Sequence, residues 1–230
     1  MPLRPRKRGQ FFEVPVQDMV LRVSGAPDDL YEVARAAGMH FWEQIQSYAI
    51  RNPAFRTSKG PLDVPPDVPE IIARMAAEAA AAGVGPMFTF QGALTEYVGR
   101  TIARAREEVL VASGGDYYVV ARRRSRLHVF PPLGGDGELS VVVKPELGPQ
   151  GVFTTAGRAL LPAETGDGVV VVASSCMLAD AAGAGALAIL SRPKSFRTAL
   201  AYLRGLAGVH GGMIVRGKHI GVVGGLELAA

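Results

Sequence analysis

Two short stretches carry side chains and backbone that could hold a ligand. The first is Ser113-Gly114-Gly115-Asp116, directly after the apolar run Val109-Leu110-Val111-Ala112. Paired glycines after a strand let the backbone turn tightly or approach a ligand, because no Cβ blocks either, and Asp116 adds a charge at that turn. A plain hairpin turn is the other reading of Gly-Gly-Asp. The second stretch runs from Ser174-Ser175-Cys176 to Asp180 and on to Gly183-Ala184-Gly185, after the apolar run Val169–Ala173. It should start a helix at the carboxyl end of a strand, where free N–H groups and the helix dipole attract anions. Asp180 is the one carboxylate in the nearly uncharged segment 169–191. A buried carboxylate is costly unless it is hydrogen-bonded or metal-bound, so Asp180 is either a capping group or a ligand.

Other residue types exclude chemistry. Cys176 is the single cysteine, and with no histidine near it in sequence it reads as a small buried hydrophobe. No intramolecular disulfide can form. His40, His128, His210 and His219 show no metal-ligand spacing, so a zinc site is not expected. Thr154-Thr155-Ala156-Gly157 lies in a stretch rich in Gly, Thr and Ser but without the Gly-Lys-Ser/Thr of a phosphate-binding P-loop. Arg122, Arg123, Arg124 and Arg126 are expected at a hairpin tip, solvated or touching phosphate.

The elements that would position these groups follow from periodicity. Residues 11–23 alternate as a strand pair turning at Gln17-Asp18. Asp28-Asp29 can cap a helix to about Ile50, with a stripe at Leu30, Val33, Ala34, Ala37, Phe41, Ile45 and Tyr48. Five prolines between 52 and 69 predict an extended strap, and Pro69-Glu70 opens a second helix that ends at Gly83. A small-residue helix over 92–106 leads to the strand at 109–112, then to strands near 117–121 and 126–130. After a linker with one strand at 140–144 come a strand (169–173), helices (175–190 and 195–205), Gly211-Gly212, and a hairpin turning at Gly217-Lys218. Helix, strand, Gly-Gly and hairpin thus recur, which predicts a single domain of two related β-rich halves, about 85–146 and 166–229. Chance recurrence is the alternative.

The 230 residues, 48% hydrophobic and 20% charged, suit a globular chain with ample core. The formal charge of +4 is local: Arg4, Arg6, Lys7 and Arg8 supply it, so the rest of the chain balances. A basic tail over 1–9 on a neutral body reads as a solvated terminus, so nucleic acid is not the expected partner. The basic start lacks an apolar signal core, and the apolar runs are too short or too glycine-broken to span a bilayer. A cytoplasmic protein, free of the membrane, is expected.

Taken in order, Gly85-Pro86-Met87, Gly92-Ala93 with Glu96-Tyr97-Val98-Gly99, Gly114-Gly115-Asp116, Ala179-Asp180-Ala181 and Gly211-Gly212 with Gly224 resemble the small ApbE-like proteins, distant relatives of the FAD:protein FMN transferase ApbE. The resemblance covers nearly the whole chain, including Asn52-Pro53 and Phe55. It implies an α+β, T-fold-like ApbE-type architecture with helices packed outside two β-rich halves and FAD in the cleft between them. It also implies Mg²⁺ at the pyrophosphate, and an acceptor protein whose threonine hydroxyl attacks the FMN phosphate with AMP leaving. Gly92, Ala93, Ser113, Gly114, Gly115, Asp116, Thr154, Thr155, Ser174 and Ser175 would then line the ligand, and Asp180 would hold the metal or a polar ligand group. The chain departs from the family in three places. Ser113 stands where relatives have Asn, the 154–160 stretch has no His, and Ala184 stands where they carry a metal-binding Thr one turn after the Asp. Two readings therefore stand: a cleft for FAD or a related nucleotide, active or degenerate as a transferase, and a non-catalytic, homo-oligomeric scaffold that has lost the site.

Overall fold

The computed structural model describes residues 11–25, 28–130, 139–155, 168–217 and 219–229. The basic tail 1–9, Gly134–Gly137, Ala156-Gly157 and Lys218 of the sequence reading lie outside the described residues.

Strands β1 (Phe11–Val16) and β2 (Met19–Ser24) form the expected pair, turning at Gln17, whose φ of 55° is left-handed. Their alternation puts Val14, Val16, Leu21 and Val23 at 0% exposure on one face and leaves Glu13 and Arg22 outside. Helix α1 (Tyr31–Arg51) packs on that face through Ala34 and Ala37, and its Ile45 joins Phe55, Ile71 and Met75 in a neighbouring cluster. The expected stripe holds except at Val33, which is 42% exposed. The proline strap is not wholly extended: Pro53 starts a short helix α2 (Pro53–Thr57), its fixed φ being suited to a first helical turn, and Phe55 is buried from it. Helix α3 (Glu70–Ala81) follows and closes at Gly83, φ 70°. A 3-10 turn (Pro86–Thr89) then feeds α4 (Phe90–Ala103).

Strands β3 (Val109–Ser113) and β4 (Asp116–Val120) pair through Gly114-Gly115. Next come β5 (Ser125–Phe130), β6 (Leu139–Val143), β7 (Gln150–Thr154) and β8 (Gly168–Ala173). Helices α5 (Cys176–Leu190) and α6 (Phe196–Gly205) precede β9 (Val209–Arg216), β10 (His219–Gly224) and β11 (Leu228–Ala229).

Eight strands form one antiparallel sheet in the order β1-β2-β3-β4-β7-β8-β9-β10, and β11-β6-β5 form a second. Among the described residues, helices α1, α4, α5 and α6 pack on one face of the large sheet. On the other face Leu127, Val129, Val141 and Val143 of the small sheet pack against Val119, Val152, Val170 and Met213. Strand β8 is covered on both sides, which is why Val169–Ala173 reads as a continuous apolar run instead of alternating.

Three expectations are corrected. Strands β4 and β5 belong to different sheets, so the arginine run is a crossing and not a hairpin tip. There Arg122 pairs with Glu107, and Arg124 reaches Glu146 at 3.2 Å and Glu227 at 3.1 Å. Residues 150–154, expected as linker, are the buried strand β7. Gly211-Gly212 sits inside β9, not at a turn like Gly114-Gly115.

Candidate functional site

Helices α4 and α5 cross where Gly92 meets the start of α5. A methyl on Gly92 would lie 2.5 Å from the carbonyl oxygen of Cys176, so only glycine permits this approach. At the crossing, Asp180 Oδ2 accepts a hydrogen bond from the Gly92 N–H at 3.1 Å, capping the third residue of α4 from a different helix. Asp180 is 3% exposed. Its carboxylate therefore has a structural bond whatever else it binds.

The start of α5 is built the same way. Ser175 is its N-cap: Oγ accepts from the Leu178 N–H at 3.0 Å and donates to Glu78 Oε1 at 3.0 Å. Glu96, buried on α4, accepts the Cys176 N–H through Oε2 at 2.8 Å, and its Oε1 accepts from Arg74 at 2.8 Å. Two N–H groups at this end are thus engaged by the protein's own oxygens. Ser174 is exposed outside the cap. The Cys176 thiol is buried and points to the Tyr117 carbonyl at 3.2 Å. Burial first, then the nearby carboxylates of Glu96, Asp116 and Asp180, pushes this thiol well above its ordinary value, so it stays protonated and unreactive at neutral pH.

Gly114 and Gly115, with φ of 50° and 103°, form the two-residue turn between β3 and β4. The turn rests against Gln91: its Nε2 donates to Ser113 Oγ at 3.4 Å, and a Cβ on Gly114 would sit 2.0 Å from that nitrogen. Asp116 starts β4 opposite Ser113 and Phe153 and is 1% exposed. Thr154 Oγ1 donates to the Val129 carbonyl at 2.9 Å, and Thr155 Oγ1 accepts from the Val169 N–H at 3.1 Å. Both hydroxyls tie β7 to its neighbours. Ala93 is fully buried beside Leu94 and Met177.

A cavity of about 440 Å³ opens beside Asp180. Phe153 and Asp180 line it together with Phe88, Phe90 and Gln91 on one side and Ala184 and Leu187 on the other. Asp180 and Ala184, one helical turn apart, face it together. A second hollow of about 600 Å³ lies on the far side of Gln91, lined by Ser113, Gly114, Gly115 and Tyr117 with Glu13, Asp18 and Arg22. Gln91 borders both, so the structure brings Gly114-Gly115 and Asp180 to two sides of one residue. Asp116, Thr154 and Thr155 stand behind this wall within the sheet. Sequence reading missed Phe88, Phe90 and Gln91; the signal was the aromatic pair immediately before Gly92.

The described side chains alone do not assemble a magnesium site around Asp180. Among the described residues no group of three or more His, Cys, Asp or Glu is placed to hold a metal, and Ala184 offers no oxygen beside Asp180. No single described helix is long and apolar enough to cross a membrane.

Comparison with known proteins agrees with this architecture. A UPF0280 protein of Methanopyrus kandleri is 30% identical over 216 residues, covering 90% of this chain and 86% of its own. A UPF0280 protein of Methanococcus maripaludis is 28% identical over 188 residues, covering 78% and 76%. Among solved structures, the ApbE protein of Thermotoga maritima superposes with a TM-score of 0.60 at 13% identity over 92% of this chain and 96% of that one. The apo form of the Pseudomonas stutzeri flavinyl transferase ApbE gives 0.57 at 14% identity over 93% of each. At these identities the two structures establish the fold. The family described as "AbpE bacteria" matches residues 4–194, and the chain belongs to it: an ApbE-like protein of mixed helices and antiparallel sheet.

Proposed function

We propose that this chain binds FAD or a related adenine nucleotide where α4, α5 and the Gly114-Gly115 turn converge. The observation that supports it most is the cavity beside Asp180, whose wall is aromatic and which a buried carboxylate also lines. Phe88 and Phe90 offer faces on which a flat ring system can stack, and Gln91 offers an amide to its polar edge. Gln91 also borders the larger hollow under Gly114-Gly115, so a two-part ligand has room on both sides. The fold shared with a flavinyl transferase supports the flavin assignment. In this reading the chain is one domain of two related halves, about 85–146 and 166–229, with the ligand between them.

Transfer of the flavin to an acceptor protein is a further step. It would require a hydroxyl attacking phosphorus while the pyrophosphate bond breaks. The competing reading is a protein that holds the nucleotide, or only the scaffold, without transferring it. Ala184 beside Asp180 favours binding without transfer, because a hydroxyl is absent where the metal-assisted step would need one.

Calorimetric titration with FAD, with and without Mg²⁺, tests the reading. Micromolar binding supports it, and formation of AMP with a labelled acceptor would extend it to transfer. Absence of binding at millimolar FAD overturns it.

A further inference from the structure

Among the described residues that line the cavity beside Asp180 there is no positive charge, although any phosphorylated ligand brought there is an anion facing a carboxylate. Among the described residues, a cation that touches this lining comes from the strap. Lys59 places its ammonium 5.2 Å from the centre of the Phe88 ring, and Phe88, 36% exposed, forms the cavity mouth. The strap holds that lysine in place by backbone contact. Ser58 N–H bonds to the Ala54 carbonyl at 2.9 Å, and Ser58 Oγ donates to the Gly60 carbonyl at 2.7 Å. The Ser58 carbonyl also lies where a methyl on Gly85 would be, 1.9 Å away. Gly85 immediately precedes the 3-10 turn that carries Phe88. The strap and the cavity wall are therefore one packed unit with Lys59 at its edge.

Resting on the flavin-nucleotide reading, we propose that Lys59 selects phosphorylated ligands, its ammonium pairing with a ligand phosphate at the mouth of the cavity. In this chain it carries the charge compensation that Asp180 and Ala184 alone are not equipped to recruit from a metal. A lysine suits the task because its compact charge swings on a flexible stem, and the Phe88 face holds it while the site is open. The stem lies outside the core, so replacing it leaves the fold alone.

The test is titration of wild type, Lys59→Gln and Lys59→Arg with riboflavin, FMN and FAD, each in EDTA and in Mg²⁺. The expected result is that wild type prefers FMN and FAD over riboflavin in EDTA by about tenfold or more, as for loss of one charge-assisted bond. Lys59→Gln abolishes that preference while binding riboflavin normally, and Lys59→Arg restores it. A preference that needs Mg²⁺ and ignores Lys59 overturns the proposal while leaving the flavin reading intact. Failure of wild type to bind any of the three overturns both.

Discussion

At the scale of single residues, Asp180 is the most informative. Its position in an apolar segment marks it as a carboxylate that needs a partner, and the sequence shows that much. The partner, the Gly92 N–H, lies 88 residues away and became visible only when α4 crossed α5. Removing the carboxylate leaves that buried N–H without its bond. Asp180→Ala should therefore destabilise by about 1–3 kcal/mol, and Asp180→Asn, which keeps an acceptor, by less. Urea unfolding of the ligand-free variants reads this directly, and equal stability of wild type and Asp180→Ala would show that the bond carries nothing. Loss of FAD binding in Asp180→Ala is thus interpretable only beside its stability. Glu96 carries the same sequence signal, one carboxylate among Gly92–Gly99. Ser175, Thr154 and Thr155 were legible as small polar residues near turns. Which N–H or carbonyl each engages depends on β7, whose neighbours in the sheet come from distant parts of the chain.

At the scale of elements, periodic segments were readable and short buried ones were not. Helices α1 and α3 and the β1–β2 pair follow their patterns because one face is apolar and the other wet. Strand β7 has no such contrast: Gln150–Thr154 is buried on both sides, interrupted by Gly151, and too short to carry a period. The arginine crossing looks like a hairpin tip for a related reason, since local sequence does not say that β5 leaves for another sheet. The element joint with the most at stake is the start of α5, where Glu96 and Arg74 pair at 2.8 Å and Glu96 is 4% exposed. Removing Arg74 leaves a buried carboxylate at a helix N-terminus with only its N–H bond. Arg74→Ala should cost about 3 kcal/mol in chemical denaturation, more than loss of an exposed pair such as Glu13–Arg22, worth at most about 1 kcal/mol. A cost no larger than that of Arg22→Ala would contradict the role assigned to this network.

At the scale of the whole molecule, one sheet divides the protein into a helical side and a β side, and the family resemblance drawn from ordered short motifs anticipated this fold. What it could not supply was the cavity, because Phe88, Phe90, Phe153 and Ala184 come from four separate elements. The closely packed helical side also sets an alkaline limit. Burial raises Tyr97, Tyr118 and Tyr202 from 10.0 to about 12. The folded state thus holds protons that the unfolded chain releases, and stability is fully present below the ordinary values and lost as pH rises through the folded ones. The decline should begin near pH 9, the ordinary value of the Cys176 thiol, and steepen between 10 and 12. Urea midpoints across that range check it, and Tyr118→Phe should flatten part of the loss. The most direct test of the central claim blocks the cavity without touching the core. Ala184 is half-buried on its wall, so Ala184→Phe fills the space while leaving the Asp180–Gly92 bond in place. Calorimetry should show FAD binding in wild type and at least a tenfold loss in Ala184→Phe at unchanged unfolding midpoint. Undiminished FAD binding by a folded Ala184→Phe protein would contradict the assignment of this cavity to the nucleotide.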